Sequence, residues 1–309
     1  MATRLTPRAT GLLVAGMACF GSATPVSAIV GRTFPPLLAS TLRLGLAAAV
    51  LVPVHLAAQR RGDEPTLTEV RHRLTRADWL RLAAIAVIGT FGFSVLMLLG
   101  MQRAPGAVAS VVMATTPAVT AVGAVLFLGE SPDRARGAAV LLAVVGVGLA
   151  TSQSSVAAGT GDAVALGAAL VFGAVVCEAA YSLLGKRLSV GLSPLAIVTA
   201  AATGAFLLFL PAAIWTGVRF DWASPSGGQW AGVMWWGLGT MALGSWLWFR
   251  GMATAPASGV APFMAVMPVS ALLLSYWLLD EPFRWAHAAG MAVVLAGLAI
   301  VVRSGAASH

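Results

Sequence analysis

Ten apolar stretches, roughly 11–30, 36–56, 79–101, 104–128, 135–152, 163–184, 194–216, 230–250, 254–279 and 285–303, take up most of the 309 residues. Each is about long enough to cross ~30 Å of hydrocarbon as a helix. A helix satisfies its own backbone groups without water, whereas a barrel needs alternating segments of about ten residues. These runs do not alternate. Composition agrees: charged residues are 10% of the chain, and a soluble domain of this size carries about 25%. The expected fold class is therefore an all-α membrane protein with ten transmembrane helices.

The net charge of +8 and the isoelectric point near 11.1 invite comparison with nucleic-acid binders. Placement argues for a lipid bilayer instead. With the N-terminus inside, the inner connectors hold fourteen of the 19 Lys and Arg, among them Arg60, Arg61, Arg134 and Arg187. The outer side holds Arg32, Arg103, Arg219 and Arg284, and Arg43 lies within a span. That is the positive-inside bias, and it predicts cytoplasmic N- and C-termini. No nucleic-acid partner is expected. Arg4, Arg8, the apolar run 11–20 and Val26-Ser27-Ala28 also resemble a signal peptide. Removing that segment would leave nine spans, so a retained first helix is expected.

The chain repeats itself at a constant offset of 151. Gly100, Met101, Ala104 and Pro105 return as Gly251, Met252, Ala255 and Pro256; Met113, Ala114 and Pro117 return as Met264, Ala265 and Pro268. Glu130 closes one copy and Glu281 the other, while Trp79 and Ser94 match Trp230 and Ser245. The expected units are residues 1–152 and 153–309, with five spans each. Five is odd, so the second unit enters the membrane from the opposite side. Inverted repeats of this kind recur in secondary transporters, with the substrate site where the halves meet.

Pro117 and Pro268 fall inside the fourth and ninth spans, where each removes a backbone hydrogen bond and predicts a bend. Pro25, Pro211 and Pro262 lie within spans one, seven and nine. Small residues in spans five and ten (Gly137, Gly146, Gly148, Gly290, Gly297) suit close helix contact, either within one chain or in a homodimer.

These motifs resemble the EamA repeats of the drug/metabolite transporter superfamily. The Ala-Pro start, the mid-helix proline and the acidic ends Phe127-Leu128-Gly129-Glu130 and Leu278-Leu279-Asp280-Glu281 carry the likeness. Asp280 stands where the pattern usually has glycine. Pro35-Pro36 followed by Arg43 is similar to the first-repeat pattern, and the second half has Pro194 but no matching arginine. The resemblance implies an inner-membrane carrier with a central cavity and alternating access, exporting amino acids, related metabolites or drugs.

Ionisable groups inside spans are expensive and read as functional. Glu178 in span six is expected to bind a substrate ammonium or to exchange a proton. Arg43 in span two is expected to act in gating or structure, with attraction of an anionic substrate group as the alternative. Glu130 and Glu281 are expected to form helix-end hydrogen bonds that close alternate gates, rather than exposed pairs with Arg134 or Arg284. Tyr181, Ser94, Ser245, Met113, Met264 and Trp236 are the remaining candidates to line a substrate cavity.

No phosphate-binding loop, clustered metal ligands or Ser-His-acid set is visible, and Cys19 and Cys177 lack metal spacing. No enzyme activity, cofactor or metal is expected. The expected function is export of small organic metabolites, with either proton coupling or facilitated diffusion. The rival is a membrane-embedded enzyme or a receptor for a lipid-soluble ligand.

Overall fold

The computed structural model describes residues 6–63, 65, 69, 74–129, 134–158, 161–188, 192–254 and 261–307. These residues form helices, with no strand among them. In chain order they are α1 (Pro7–Gly21), α2 (Ala23–Gly31), α3 (Pro36–Arg60), α4 (Arg76–Ala84), a π-helical segment (Ile85–Gly92), α5 (Phe93–Met101), α6 (Gly106–Met113), α7 (Thr116–Leu128), α8 (Arg134–Ala158) and α9 (Gly161–Leu188). There follow α10 (Pro194–Gly217), α11 (Gly227–Met234), a second π-helical segment (Trp235–Leu243), α12 (Gly244–Thr254), a short 3₁₀ turn (Ala261–Ala265), α13 (Val266–Leu278) and α14 (Trp285–Ala307). Six stretches are long and apolar enough to span a membrane: Pro7–Gly31, Pro36–Arg60, Arg76–Met101, Gly106–Phe127, Asp162–Gly185 and Pro194–Gly217. Shorter apolar helices add to them. This is an all-α, multi-pass membrane protein.

The 151-residue offset reappears as local structure. Thr75 and Asp78 form a capping box at the start of α4, and Ser226 and Gln229 form one at the start of α11. Each box satisfies N–H groups that a helix terminus leaves open. Each α-helix then passes into a π-helical segment. Further along, Gly129 and Asp280 both adopt positive φ, at 69° and 52°, where α7 and α13 end. Only glycine enters that region without a Cβ penalty, which explains why this position usually carries glycine.

Helix pairing follows the same plan. The helix α1 packs on α12, and α9 on α5; α3 packs on α10, α13 on α6, and α14 on α8. Exchanging the first and second halves leaves this set of pairs unchanged. The α8–α14 contact uses the small residues seen in the sequence. A Cβ at Gly146 would stand 2.6 Å from the Gly290 carbonyl oxygen, so only glycine allows this approach. Gly137 and Gly148 meet no such neighbour. Gly146, Gly290 and Gly297 thus serve packing within the chain.

The matched prolines behave as their chemistry predicts, with one refinement. The helix breaks before Pro117, at Ala114 and Thr115, and a 3₁₀ turn ends shortly before Pro268. A proline nitrogen cannot donate to the carbonyl four residues back. For Pro117 that carbonyl belongs to Met113, and the Thr116 hydroxyl lies 2.7 Å from it. The Thr115 hydroxyl serves Val112 in the same way at 2.7 Å. The Thr116 side chain thus replaces the missing backbone donor, while the Val112 carbonyl also accepts the Thr115 amide at 3.0 Å. Pro25 follows a break at Ser22, while Pro211 leaves α10 continuous.

Candidate functional site

Glu178 projects from α9 toward the break between α6 and α7. Its Oε2 lies 3.2 Å from the Thr116 hydroxyl oxygen, the same oxygen that serves the freed Met113 carbonyl. One hydroxyl carries one hydrogen, so Thr116 cannot donate to both acceptors at once. A carboxyl on α9 is thereby tied to the interrupted turn of span four. Around it, α9 lies close against the first π-helical segment: a Cβ at Gly89 would meet Tyr181 at 2.8 Å, and one at Gly92 would meet the Cys177 sulfur at 3.2 Å. Tyr181 is partly buried in the packing between α9, Ile85 and α10.

A second focus lies at one end of the bundle. Asp280 turns the chain left-handed, and the following Glu281 reaches back to the N-terminus of α6. Its Oε1 accepts from the Gly106 amide at 2.5 Å, and its Oε2 from the Ala107 amide at 2.9 Å. A carboxylate at a helix N-terminus answers unsatisfied N–H groups and the positive end of the dipole. The acid therefore clasps span nine to span four across the two halves. The partners of this helix-end hydrogen bond are backbone amides. Burial pushes the Glu281 carboxyl up from its ordinary range, against the opposing pull of the Ala107 and Gly106 amides and of Arg32. Glu130, with Ala255 and Pro256 of the matching motif, lies outside the described residues.

Beside the clasp is a cavity of about 440 Å³, which the sequence did not disclose. Ser27, Gly31, Arg32, Leu98, Gln102, Pro105 and Glu281 are among its walls, so spans one, three, four and nine all contribute. At the same end, Gln229 donates to the Thr33 hydroxyl, joining the second half to the connector after α2.

The remaining candidates are dispersed. Trp236 is almost fully buried between α2, α3, α5 and α11, and the Arg43 guanidinium stacks 4.7 Å from its ring centroid. No ion pair joins Arg43 to Glu178. Ser94 and Ser245 are buried, and Met113 packs with Met97, Val171 and Val175. Met264 is exposed in the 3₁₀ turn. The structure thus brings Arg43 to Trp236, but Glu178 finds Thr116, which sequence reasoning missed. Its signal was available: two adjacent threonines immediately before a mid-span proline.

The family model of EamA-like transporters matches residues 8–152 and again residues 165–303. The chain belongs to the EamA-like transporter family. Among relatives of this EamA protein, the uncharacterized transporter YetK of Bacillus subtilis (strain 168) is 32% identical over 291 residues, covering 94% of this chain and 85% of the relative. The uncharacterized transporter YyaM of the same organism is 22% identical, over 86% of this chain and 84% of its own. An uncharacterized transporter of Archaeoglobus fulgidus is 28% identical over 82% of this chain and 90% of its own. A crystal structure covering 95% of both chains superposes with a TM-score of 0.62 at 20% identity, a likeness of fold alone. The EamA protein described here is accordingly a membrane transporter.

Proposed function

We propose that this EamA-family transporter exports small organic metabolites, amino acids or related compounds, from the cytoplasm across the inner membrane by alternating access. Ten spans form two inverted five-helix units, residues 1–152 and 153–309, with both termini cytoplasmic. In this orientation the Glu281 clasp and its cavity lie on the outer side.

The observation that carries the reading is Glu178 against the broken turn at Thr116. A proton on Glu178 lets the carboxyl donate to Thr116 while Thr116 donates to the Met113 carbonyl. Loss of that proton, or arrival of a substrate ammonium, rearranges hydrogen bonds at the one turn of span four that lacks its full backbone ladder. Interrupted helices at matching positions of the two halves are where a secondary carrier builds its substrate and coupling-ion site, around which the halves rock. Glu178 therefore links occupancy to motion, and proton exchange there couples export to a gradient. Tyr181, Met113 and Trp236, each in its own packing cluster, are assigned to the apolar and aromatic walls of the substrate path. Ser94 and Ser245 supply hydroxyls at matched positions in the two halves.

Flux in reconstituted vesicles separates this from a membrane-embedded enzyme or receptor. Vesicles loaded with radiolabelled amino acids should release a subset of them faster than protein-free vesicles, with saturation. Binding or chemical turnover of the same compounds without flux would overturn the carrier reading.

A further inference from the structure

The geometry points to a carboxylate-binding subsite built on Arg43, between α3, α5 and the second π-helical segment. It rests on the transporter reading and names one chemical group of the cargo. Arg43 is 8% exposed, and its Nε and Nη1 are buried with no hydrogen-bond partner among the described residues. An unpaired cation in a bilayer-spanning bundle is costly, and such groups in native folds are paired or meet a ligand. The Trp236 ring, 4.7 Å away, holds the guanidinium by a cation–π contact but accepts no N–H bond.

Two hydroxyls accompany it. Ser40 lies one turn earlier on the same face of α3. Ser94 lies one turn before Leu98, which packs with Leu38, Ala39 and Trp236. Because α5 runs antiparallel to α3, that register puts Ser94 level with Arg43. Most hydroxyls in these helices turn back onto their own backbone, as Thr41, Ser110, Thr240 and Ser275 do at 2.5–2.8 Å. Ser40 and Ser94 are completely buried, and their hydroxyls have no hydrogen-bond partner among the described residues. A planar fork of N–H donors and two buried hydroxyls, with no carboxylate paired to Arg43 among the described residues, match the geometry of a carboxylate. Glu178 lies elsewhere in the bundle and makes no pair with Arg43, so the cation is left for a ligand.

The test uses the full-length protein in nanodiscs, with sodium benzoate as probe, benzamide as its uncharged isostere and sodium chloride holding ionic strength constant. Tryptophan fluorescence and thermal unfolding are followed together. Wild type should respond saturably to benzoate and not to benzamide. In Arg43→Gln benzoate affinity should fall about tenfold or more, with Arg43→Lys intermediate. Ser94→Ala tests the site should Arg43→Gln fail to fold, and should weaken benzoate by roughly threefold. Equal responses to benzoate and benzamide in wild type would overturn the subsite. So would benzoate affinity unchanged in a folded Arg43→Gln, or in Ser94→Ala. Vesicle flux is scored separately: benzoate binding without any flux upholds the subsite and defeats the transporter role, and flux with no carboxylate preference does the reverse.

Discussion

At the residue scale, Asp280 and Glu281 form a working unit. Asp280 occupies a left-handed conformation that the matching position in the first half gives to Gly129. That geometry costs an L-residue roughly 1–2 kcal/mol. Asp280→Gly should therefore raise the thermal stability of the purified protein, by up to about 1 kcal/mol once the greater entropy of glycine is subtracted. A fall in melting temperature would contradict the account. Glu281 leads to a pH prediction whose sign is not obvious. In the clasp its carboxyl sits above the ordinary range, with burial as the largest cause. When the clasp opens, the group returns to water and to about 4.3. The clasped form then holds a proton more tightly than the open one, so acidification favours closure. The gain is complete below the ordinary value and lost as pH rises through the raised one. Spin labels at Gln102 and Phe283, both exposed, should report a growing short-distance population as pH falls. The dependence should vanish in Glu281→Gln. The opposite trend, or the same trend in the variant, would remove Glu281 from the gate.

At the element scale, much of the site was legible in the sequence because its signals are covalent constraints. A proline deletes a donor wherever it stands, so breaks near Pro117 and Pro268 could be expected from residue identity alone. The position of the break could not, because it depends on whether Thr115 and Thr116 turn inward to serve Val112 and Met113. The π-helical segments were also unreadable, since a one-residue change in helical register leaves no mark in apolar sequence. Their matched placement in spans three and eight, against α9 and α3, marks them as irregular elements beside the candidate residues of those helices. The glycines of spans five and ten showed the limit of motif reading from the other side. Small residues announced close packing without naming the partner, and the structure names it for Gly146 but not for Gly148. Gly146→Leu should destabilise the protein by about 1–3 kcal/mol through overpacking against Gly290 and Val294. Gly148→Leu on the same helix should change the melting temperature little. Equal effects of the two substitutions would show that α8 does not pack on α14 as described.

At the scale of the whole molecule, the repeat, the paired capping boxes, the matched left-handed turns and the exchange-invariant helix pairing describe one plan used twice. In the proposed function, what breaks the plan carries the chemistry. Glu178 and Arg43 have no charged counterparts in the other half: span one carries no carboxylate, and span seven opens at Pro194 with no arginine within it. The sequence alone could identify these departures, because each is a charge inside an apolar span. It could not assign their partners, which come from other helices: Thr116 for Glu178, and Trp236 for Arg43. Transport then rests on whether the asymmetric carboxyl controls the symmetric hinge. The most direct measurement is amino-acid flux in vesicles with and without an imposed pH gradient, for wild type and Glu178→Gln. The account predicts that the gradient accelerates wild-type flux and leaves the variant unaffected, with the variant folded and its concentration-driven flux still measurable. A Glu178→Gln protein that responds to the gradient as wild type does would contradict it.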